Sequence, residues 1–175
     1  MRRPKPRALV TGGIAVALTC TACGGPSASP PPEQPATTAA GETSTSAGPF
    51  AEVDPCGLLD PSAGVQGPGE REDKLGSLVC RWEVPEGGVA VNLHPDRAVE
   101  QLDLSQYQVS ETTVGGRPAK LARGAEGDGT CEVLLPVSGT ASAGVAAITD
   151  DMNNDTACAV AQRLAPVVAE KLPAG

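Results

Sequence analysis

Apolar and polar residues alternate along several short stretches of this chain, and the alternation predicts antiparallel strand pairs. Successive side chains of a strand point to opposite faces, so this pattern is typical of a sheet with at least one buried face. Turn residues such as Pro85-Glu86-Gly87-Gly88 and Gly115-Gly116 separate the members of a pair. Three hairpins are predicted: residues 78–84 with 89–93, 107–114 with 117–123, and 131–137 with 143–148.

The last part of the chain has a helical period instead. Apolar residues recur at helical spacing over residues 156–171, namely Ala157, Val160, Ala161, Leu164 and Val168. Asp155 is predicted to cap this helix, and Pro166 is predicted to kink it or end it early.

Shorter elements complete the predicted fold. Asp54-Pro55 indicates a cap followed by one short turn, and residues 95–104 are predicted as a short helix. Residues 64–76 are rich in Gly and charge and are expected to form a loop. The fold class is therefore α+β, an antiparallel sheet with a C-terminal helix and short additional helices, and residues 53–173 form a single domain.

The N-terminal residues have the layout of a secretory signal peptide. A basic leader without acidic residues precedes an apolar run over residues 8–22, which is too short to span a bilayer. The run ends in Thr21-Ala22-Cys23-Gly24, which resembles the bacterial lipobox, where the Cys receives a diacylglyceryl group before cleavage. We expect residues 1–22 to be removed and Cys23 to be lipidated; the alternative is an ordinary cleaved signal with Cys23 unmodified. Acyl chains on Cys23 would hold the protein on the membrane.

Residues 23–52 form a predicted disordered stalk behind that anchor. They are rich in Pro, Ser, Thr, Ala and Gly, and they carry too little apolar surface to offset the entropy of ordering. The prolines should keep the stalk partly extended, which would lift the folded domain away from the membrane.

Composition and charge narrow the range of partners. Removal of residues 1–22 takes away four basic residues, so Lys+Arg falls from 13 to 9 against 21 Asp+Glu, a net charge of −12. This balance argues against nucleic acid and against an electrostatic grip on anionic lipid. Aromatic residues are only 2% of the chain, so the core must be built from Val, Leu and Ala and is expected to need covalent staples.

Four cysteines remain after processing, and an even number in an exported chain implies a disulfide framework. Three connectivities are possible. We favour Cys56–Cys80 and Cys131–Cys158, because each pair closes a loop between neighbouring elements. Zinc-ligand spacing is absent and the chain has one His, so no metal and no cofactor is predicted.

The positions of these cysteines also carry a family resemblance. Asp54-Pro55-Cys56-x-Leu58-Leu59, Cys80-x-Trp82, Cys131 and Cys158-x-x-Ala161 resemble a group of actinobacterial lipoproteins, the domain of unknown function 3558 family. The resemblance covers residues 53–173 together with the signal and the stalk. It implies a lipoprotein of the cell envelope, and it supplies no catalytic residues.

Three further features of the sequence are candidates for chemistry. His94-Pro95-Asp96 matches a tripeptide of co-chaperone J-domains, but it follows a predicted strand, and His94 lacks a nucleophile motif, so catalysis is not favoured. Residues 150–155 are rich in oxygen ligands, and the favoured interpretation is a solvated turn that caps the helix, with weak calcium binding as the alternative. Trp82 is expected to pack against a disulfide, with one wall of a ligand pocket as the alternative.

These observations lead to a functional expectation by elimination. We expect a non-enzymatic binding or accessory domain, tethered to the extracytoplasmic face of the cell membrane, that recognises an envelope protein, a glycan or a small ligand. The alternative is a carrier of a small apolar ligand held between sheet and helix. A hydrolase that uses His94 is the third and least favoured hypothesis.

Overall fold

The structure is a computed structural model that describes residues 48–74 and 76–173. The predicted signal peptide, the lipidation site Cys23 and most of the predicted stalk lie outside these residues. Seven strands and one α-helix make up the domain: β1 (Gln66–Lys74), β2 (Ser77–Val84), β3 (Gly87–His94), β4 (Gln108–Val114), β5 (Arg117–Arg123), β6 (Thr130–Ser138), β7 (Ala141–Thr149) and α1 (Asn154–Lys171).

The seven strands form one antiparallel sheet in the order β1-β2-β3-β7-β6-β5-β4. The three predicted hairpins are confirmed as β2–β3, β4–β5 and β6–β7. The first and third hairpins meet at the centre of the sheet, where Val91 of β3 pairs with Val145 of β7. The α+β class with a C-terminal helix is likewise confirmed.

One face of the sheet is the main core. Side chains of alternate residues in the central strands, such as Val91, Val133 and Val145, are completely buried beneath α1, which packs on β6 and β7. The 3-10 turn Pro55–Gly57 packs against the neighbouring strands β1, β2 and β3. The main core is built mostly from Val, Leu and Ala side chains, together with Phe50 and Trp82.

Both favoured disulfides are present. Cys56 is bonded to Cys80 with a Cα–Cα distance of 5.2 Å, and Cys131 is bonded to Cys158 with a Cα–Cα distance of 4.9 Å. The first ties the N-terminal 3-10 turn to β2, and the second ties α1 to β6. Each bond therefore fastens an element that lies on the sheet to the sheet itself.

The predicted loop over residues 64–76 is wrong, because its middle forms strand β1. This strand is the outer edge of the sheet and pairs only with β2, so Pro68 and polar side chains are tolerated there. The register shifts between Gln66 and Glu70, and Gly67 adopts a positive φ of 69° at that irregularity. A Cβ at Gly69 would overlap Cys80 Sγ, so a glycine allows β1 to approach the disulfide.

The C-terminal helix begins earlier than predicted, and it does not end early at Pro166. Its N-cap is Asn153 rather than Asp155, and Asn153 Oδ1 accepts hydrogen bonds from the backbone N–H groups of Asp155 (2.8 Å) and Thr156 (3.4 Å). The helix continues through Pro166 to Lys171. The carbonyl that Pro166 leaves without a donor belongs to Gln162, an exposed residue, so water can satisfy it while the opposite side of the helix stays packed.

The predicted helix over residues 95–104 is reduced to a single 3-10 turn, Val99–Gln101. The segment around this turn crosses the second face of the sheet, where Val99 packs with Leu134 of β6 and Ala122 of β5. Leu102, Leu104 and Tyr107 pack against the same small cluster.

The N-terminal boundary of the domain lies earlier than residue 53 among the described residues. Gly48–Phe50 forms a 3-10 turn, and Phe50 is 1% exposed within the main core. In the described part of the chain, no helix combines the length and the apolar character needed to cross a membrane.

Candidate functional site

The second face of the sheet is only partly covered, and this creates the main candidate site. The segment of residues 95–107 lies over one half of that face and is held there by two polar contacts. Ser142 Oγ donates to the Arg97 carbonyl oxygen (2.8 Å), and Lys120 Nζ lies 3.5 Å from Glu100 Oε1. Beyond this segment, the ends of β2, β3, β6 and β7 remain open.

We call this open region the trough, a cavity of about 590 Å³ on the second face of the sheet. Its floor consists of small residues in register: Gly88 pairs with Ile148, and Ala90 pairs with Ala146. These small side chains leave open space above the floor, whereas the lining also includes the large side chains of Tyr107 and Ile148. Ile148 is 52% exposed, an uncommon position for a large apolar side chain.

Glu132 lies in the floor of the trough, near the start of strand β6. Its register partners Ala122 and Ala146 have small side chains, and a Cβ at Gly144 would overlap Glu132 Oε1. The glycine therefore leaves the space that the carboxyl group occupies. Asn92 Nδ2 donates a hydrogen bond of 3.1 Å to Oε1.

Only one oxygen of the Glu132 carboxyl group has a hydrogen-bond partner among the described residues. Burial raises the pKa of Glu132, and the hydrogen bond from Asn92 lowers it by less. Within residues 48–74 and 76–173, no Lys, Arg or His forms an ion pair with it, and Oε2 has no hydrogen-bond partner. A partly buried acid with one free oxygen thus faces an open cavity.

The charges around the trough are mostly negative. Glu83 and Asp150 line it together with Glu132, and Arg81 is the one basic residue among the described residues that line it. Arg81 Nε donates to Glu72 Oε2 at 3.1 Å, so its charge is balanced by an acid of the neighbouring edge strand. The trough is therefore an acidic environment.

His94 lies in a second polar cluster at the other end of strand β3. Its Nδ1 is 2.8 Å from Ser77 Oγ, while Arg97 Nη2 donates to the same oxygen at 2.7 Å. Burial, and next the nearby Arg97, lower the pKa of His94 to about 4, so the ring is neutral at pH 7. Ser77 is only 6% exposed.

This cluster contains a Ser–His pair that sequence reasoning did not anticipate, but its geometry favours a structural role. A nucleophilic hydroxyl must be reachable by substrate, and donation from Arg97 draws electron density from the Ser77 oxygen. The cluster links β2, β3 and the start of the covering segment.

Residues 150–155 act as the entry to α1, in line with the favoured interpretation. Asp151 Oδ1 accepts from the Asn153 N–H (3.0 Å), and Asp151 Oδ2 accepts from Thr156 Oγ1 (3.1 Å). Asp155 pairs with Arg123 of β5 at 2.6 Å. In the described part of the chain, no group of three or more His, Cys, Asp or Glu side chains is arranged to hold a metal ion.

Trp82 packs in the main core, as expected. It is 4% exposed and belongs to the same buried cluster as Cys80. The two side chains lie on one face of β2 because they are two residues apart. Glu132 is in register with Arg81 through Ala146 and Ala90, so it lies on the opposite face of the sheet from Trp82.

Sequence reasoning missed Glu132 and the trough. One signal was present: Glu132 is an acid between Cys131 and Val133 in an otherwise apolar strand. The sequence does not show that Asn92 and Gly144 lie beside Glu132. Pairing between strands that are distant in the chain brings these two residues next to it.

Comparison with known proteins gives one match. The family model described as Protein of unknown function (DUF3558) matches residues 18–171 of the chain. No curated protein and no solved structure matches the sequence. Because the family model spans most of the chain, from the apolar N-terminal run to the last turn of α1, the protein belongs to the domain of unknown function 3558 family.

Proposed function

We propose that this protein is an exported, lipid-anchored component of the cell envelope whose folded domain binds a ligand in the trough. Export is supported by the basic leader and the apolar residues 8–22, and anchoring is supported by the lipobox-like residues that end in Cys23-Gly24. The two disulfides fit an oxidising compartment outside the cytoplasm. Residues 23–47 would serve as the stalk between membrane and domain.

The observation that carries the binding role is the position of Glu132 in the floor of an open cavity. Burial of an acid lowers stability unless the acid is paired, so an acid that serves only the fold would be expected to have a full set of partners. Glu132 has a single side-chain donor, Asn92, and its second oxygen has none among the described residues. Oε2 is open to the trough, so a hydrogen-bond donor of a ligand could take the place of solvent there.

We propose binding rather than catalysis for two reasons. Ser77 is buried and Arg97 donates a hydrogen bond to its oxygen, so the Ser77–His94 pair does not offer an accessible nucleophile. The trough, in contrast, combines small floor residues, the large side chains of Tyr107 and Ile148, and a few charged groups, and small-molecule sites likewise combine apolar lining with a few polar groups.

Site-specific photo-crosslinking in intact cells tests the binding role. A photoreactive amino acid at Ile148 should give a crosslinked adduct, because this side chain lies at the edge of the trough. The same amino acid at Thr113, on the outer strand β4, is the control and should give none. Equal crosslinking from both positions, or none from Ile148, would contradict the proposed site.

Cell fractionation tests the anchor separately. Replacement of Cys23 by Ala should move the protein from the membrane fraction to the medium, whereas Cys20→Ala, three residues earlier, should leave it on the membrane. A Cys23→Ala protein that stays membrane-bound would overturn the lipoprotein proposal.

A further inference from the structure

The chemical class of the ligand can be inferred from the groups that line the trough, on the basis of the function proposed above. Three carboxylates, of Glu83, Glu132 and Asp150, are contributed by different strands and turns to one cavity. The only basic residue of the lining, Arg81, already pairs with Glu72 outside it. Charge complementarity therefore favours a cation.

The apolar parts of the trough restrict the shape of that cation. Gly88, Ala90 and Ala146 give the floor almost no polar side-chain atoms, while Tyr107 and Ile148 flank it. An alkyl chain can pack on such a surface, and the ring of Tyr107 can also contact a cationic group through its face. A hydrated metal ion would gain nothing from these walls.

The free oxygen of Glu132 fixes where the charge would sit. Asn92 holds Oε1, and Oε2 has no partner within the described residues, so a donor entering from the cavity can reach an unused acceptor. Gly144 leaves room for the carboxyl group, since a Cβ at that position would overlap Oε1. An ammonium group is a compact donor that suits a single acceptor.

We propose that the trough binds a primary alkylammonium group, with the ammonium on Glu132 and the alkyl chain along the floor of small residues. Such a group is carried by a free aliphatic amine and by the side chain of a lysine in a partner protein. The two sources share this chemistry and differ in what surrounds the alkyl chain.

NMR titration of the mature protein, exported by the host and purified without reductant, tests the proposal. The probes are hexylammonium chloride, hexan-1-ol as its neutral counterpart, and Nα-acetyl-lysine N-methylamide. The readout is the side-chain amide signal of Asn92, which donates to Glu132. We expect saturable shifts with both ammonium probes and at least tenfold weaker binding of hexan-1-ol. Tighter binding of the lysine derivative than of hexylammonium would identify a lysine side chain as the source. Tighter binding of hexylammonium would identify a free amine.

Two substitutions make the test specific. Glu132→Gln retains the shape and removes the charge, so it should weaken binding of both ammonium probes at least tenfold. The protein should still fold, because the substitution removes a buried charge, and thermal unfolding verifies this. Glu111→Gln, on the outer strand β4 away from the trough, is the matched control and should change binding less than twofold.

The outcomes separate this inference from the proposed function. Equal binding of hexylammonium and hexan-1-ol, or full binding by Glu132→Gln, would overturn the cation while leaving the trough as a ligand site. Absence of binding by every probe, together with a specific crosslink from Ile148, would also overturn the cation and retain the site. Absence of both would overturn the two proposals together.

Discussion

Removal of the disulfide between Cys131 and Cys158 should lower stability by an amount set mainly by the unfolded chain. In the folded protein, Ala157, Val160 and Ala161 keep helix α1 packed on the sheet whether or not the bond is present. In the unfolded chain, the bond closes a loop with a sequence separation of 27 residues and restricts its conformations.

The magnitude follows from the loop length. A closed loop of this size corresponds to about 3.5 kcal/mol of stabilisation at 25 °C in the chain-entropy description. The bond between Cys56 and Cys80 closes a loop with a separation of 24 residues, so its predicted contribution is almost the same. For a domain of this size, one kcal/mol shifts Tm by about 4 °C, so loss of either bond should lower Tm by about 14 °C.

Urea unfolding of two double variants measures these contributions. One variant is Cys131→Ala with Cys158→Ala, the other is Cys56→Ala with Cys80→Ala, and each retains the other bond. We expect losses that agree within about 1 kcal/mol, because the two loops are nearly equal in length. A loss below about 1 kcal/mol for either pair would refute the loop-closure reasoning.

Three more predictions follow from individual side chains. The pKa of His94 is lowered to about 4 in the folded protein. As pH falls, His94 therefore takes up a proton in the unfolded state before it does so in the folded state, and the free energy of unfolding decreases between pH 6.5 and 4. Allowing for screening of this partly exposed ring, the free energy of unfolding should fall by about 1–2 kcal/mol more in the wild type than in His94→Ala, as urea titrations at both pH values measure. Gly87→Ala should destabilise by more than about 2 kcal/mol in urea unfolding, since its φ of 146° is unfavourable and a Cβ would overlap the Ile148 carbonyl oxygen. Arg117→Met should expose the C-terminus of α1 to faster amide exchange, because Arg117 donates to the carbonyl oxygens of Ala169 and Pro173 at 3.1 Å.

The alternation of apolar and polar residues predicted the strands that are joined by tight turns. Strand β5 begins and ends where alternation around Gly115-Gly116 predicts it, because a tight turn fixes the register of its two neighbours. Strand β1 was missed, since its residues are polar and its extended form depends on pairing with β2. The same holds for the covering segment, in which Leu102 and Leu104 spread over the sheet instead of lining one side of a helix.

The candidate site depends on contacts that no local pattern reveals. Asn92 and Glu132 lie 40 residues apart and meet because β3 and β6 both pair with β7. The order of strands in the sheet decides this meeting, and the sequence alone does not determine that order. The disulfides could be predicted because four cysteines allow only three pairings. In the pairing that is present, each bond closes a loop between neighbouring elements.

The bond between Cys56 and Cys80 also determines how the domain would bear a mechanical load. If the chain is tethered by its N-terminus, a pulling force acts along the backbone from Gly48 to Cys56. At Cys56 the disulfide bond transmits the force directly to Cys80 in β2. Residues 57–79, which include the edge strand β1, then lie outside the loaded path. An edge strand pulled from its end separates one hydrogen bond at a time, and forced unfolding is governed by the rate of that first separation. With the disulfide present, the force acts on β2 instead of on the edge strand β1. A domain held at the end of a stalk would therefore resist unfolding by drag better in its oxidised form than in its reduced form.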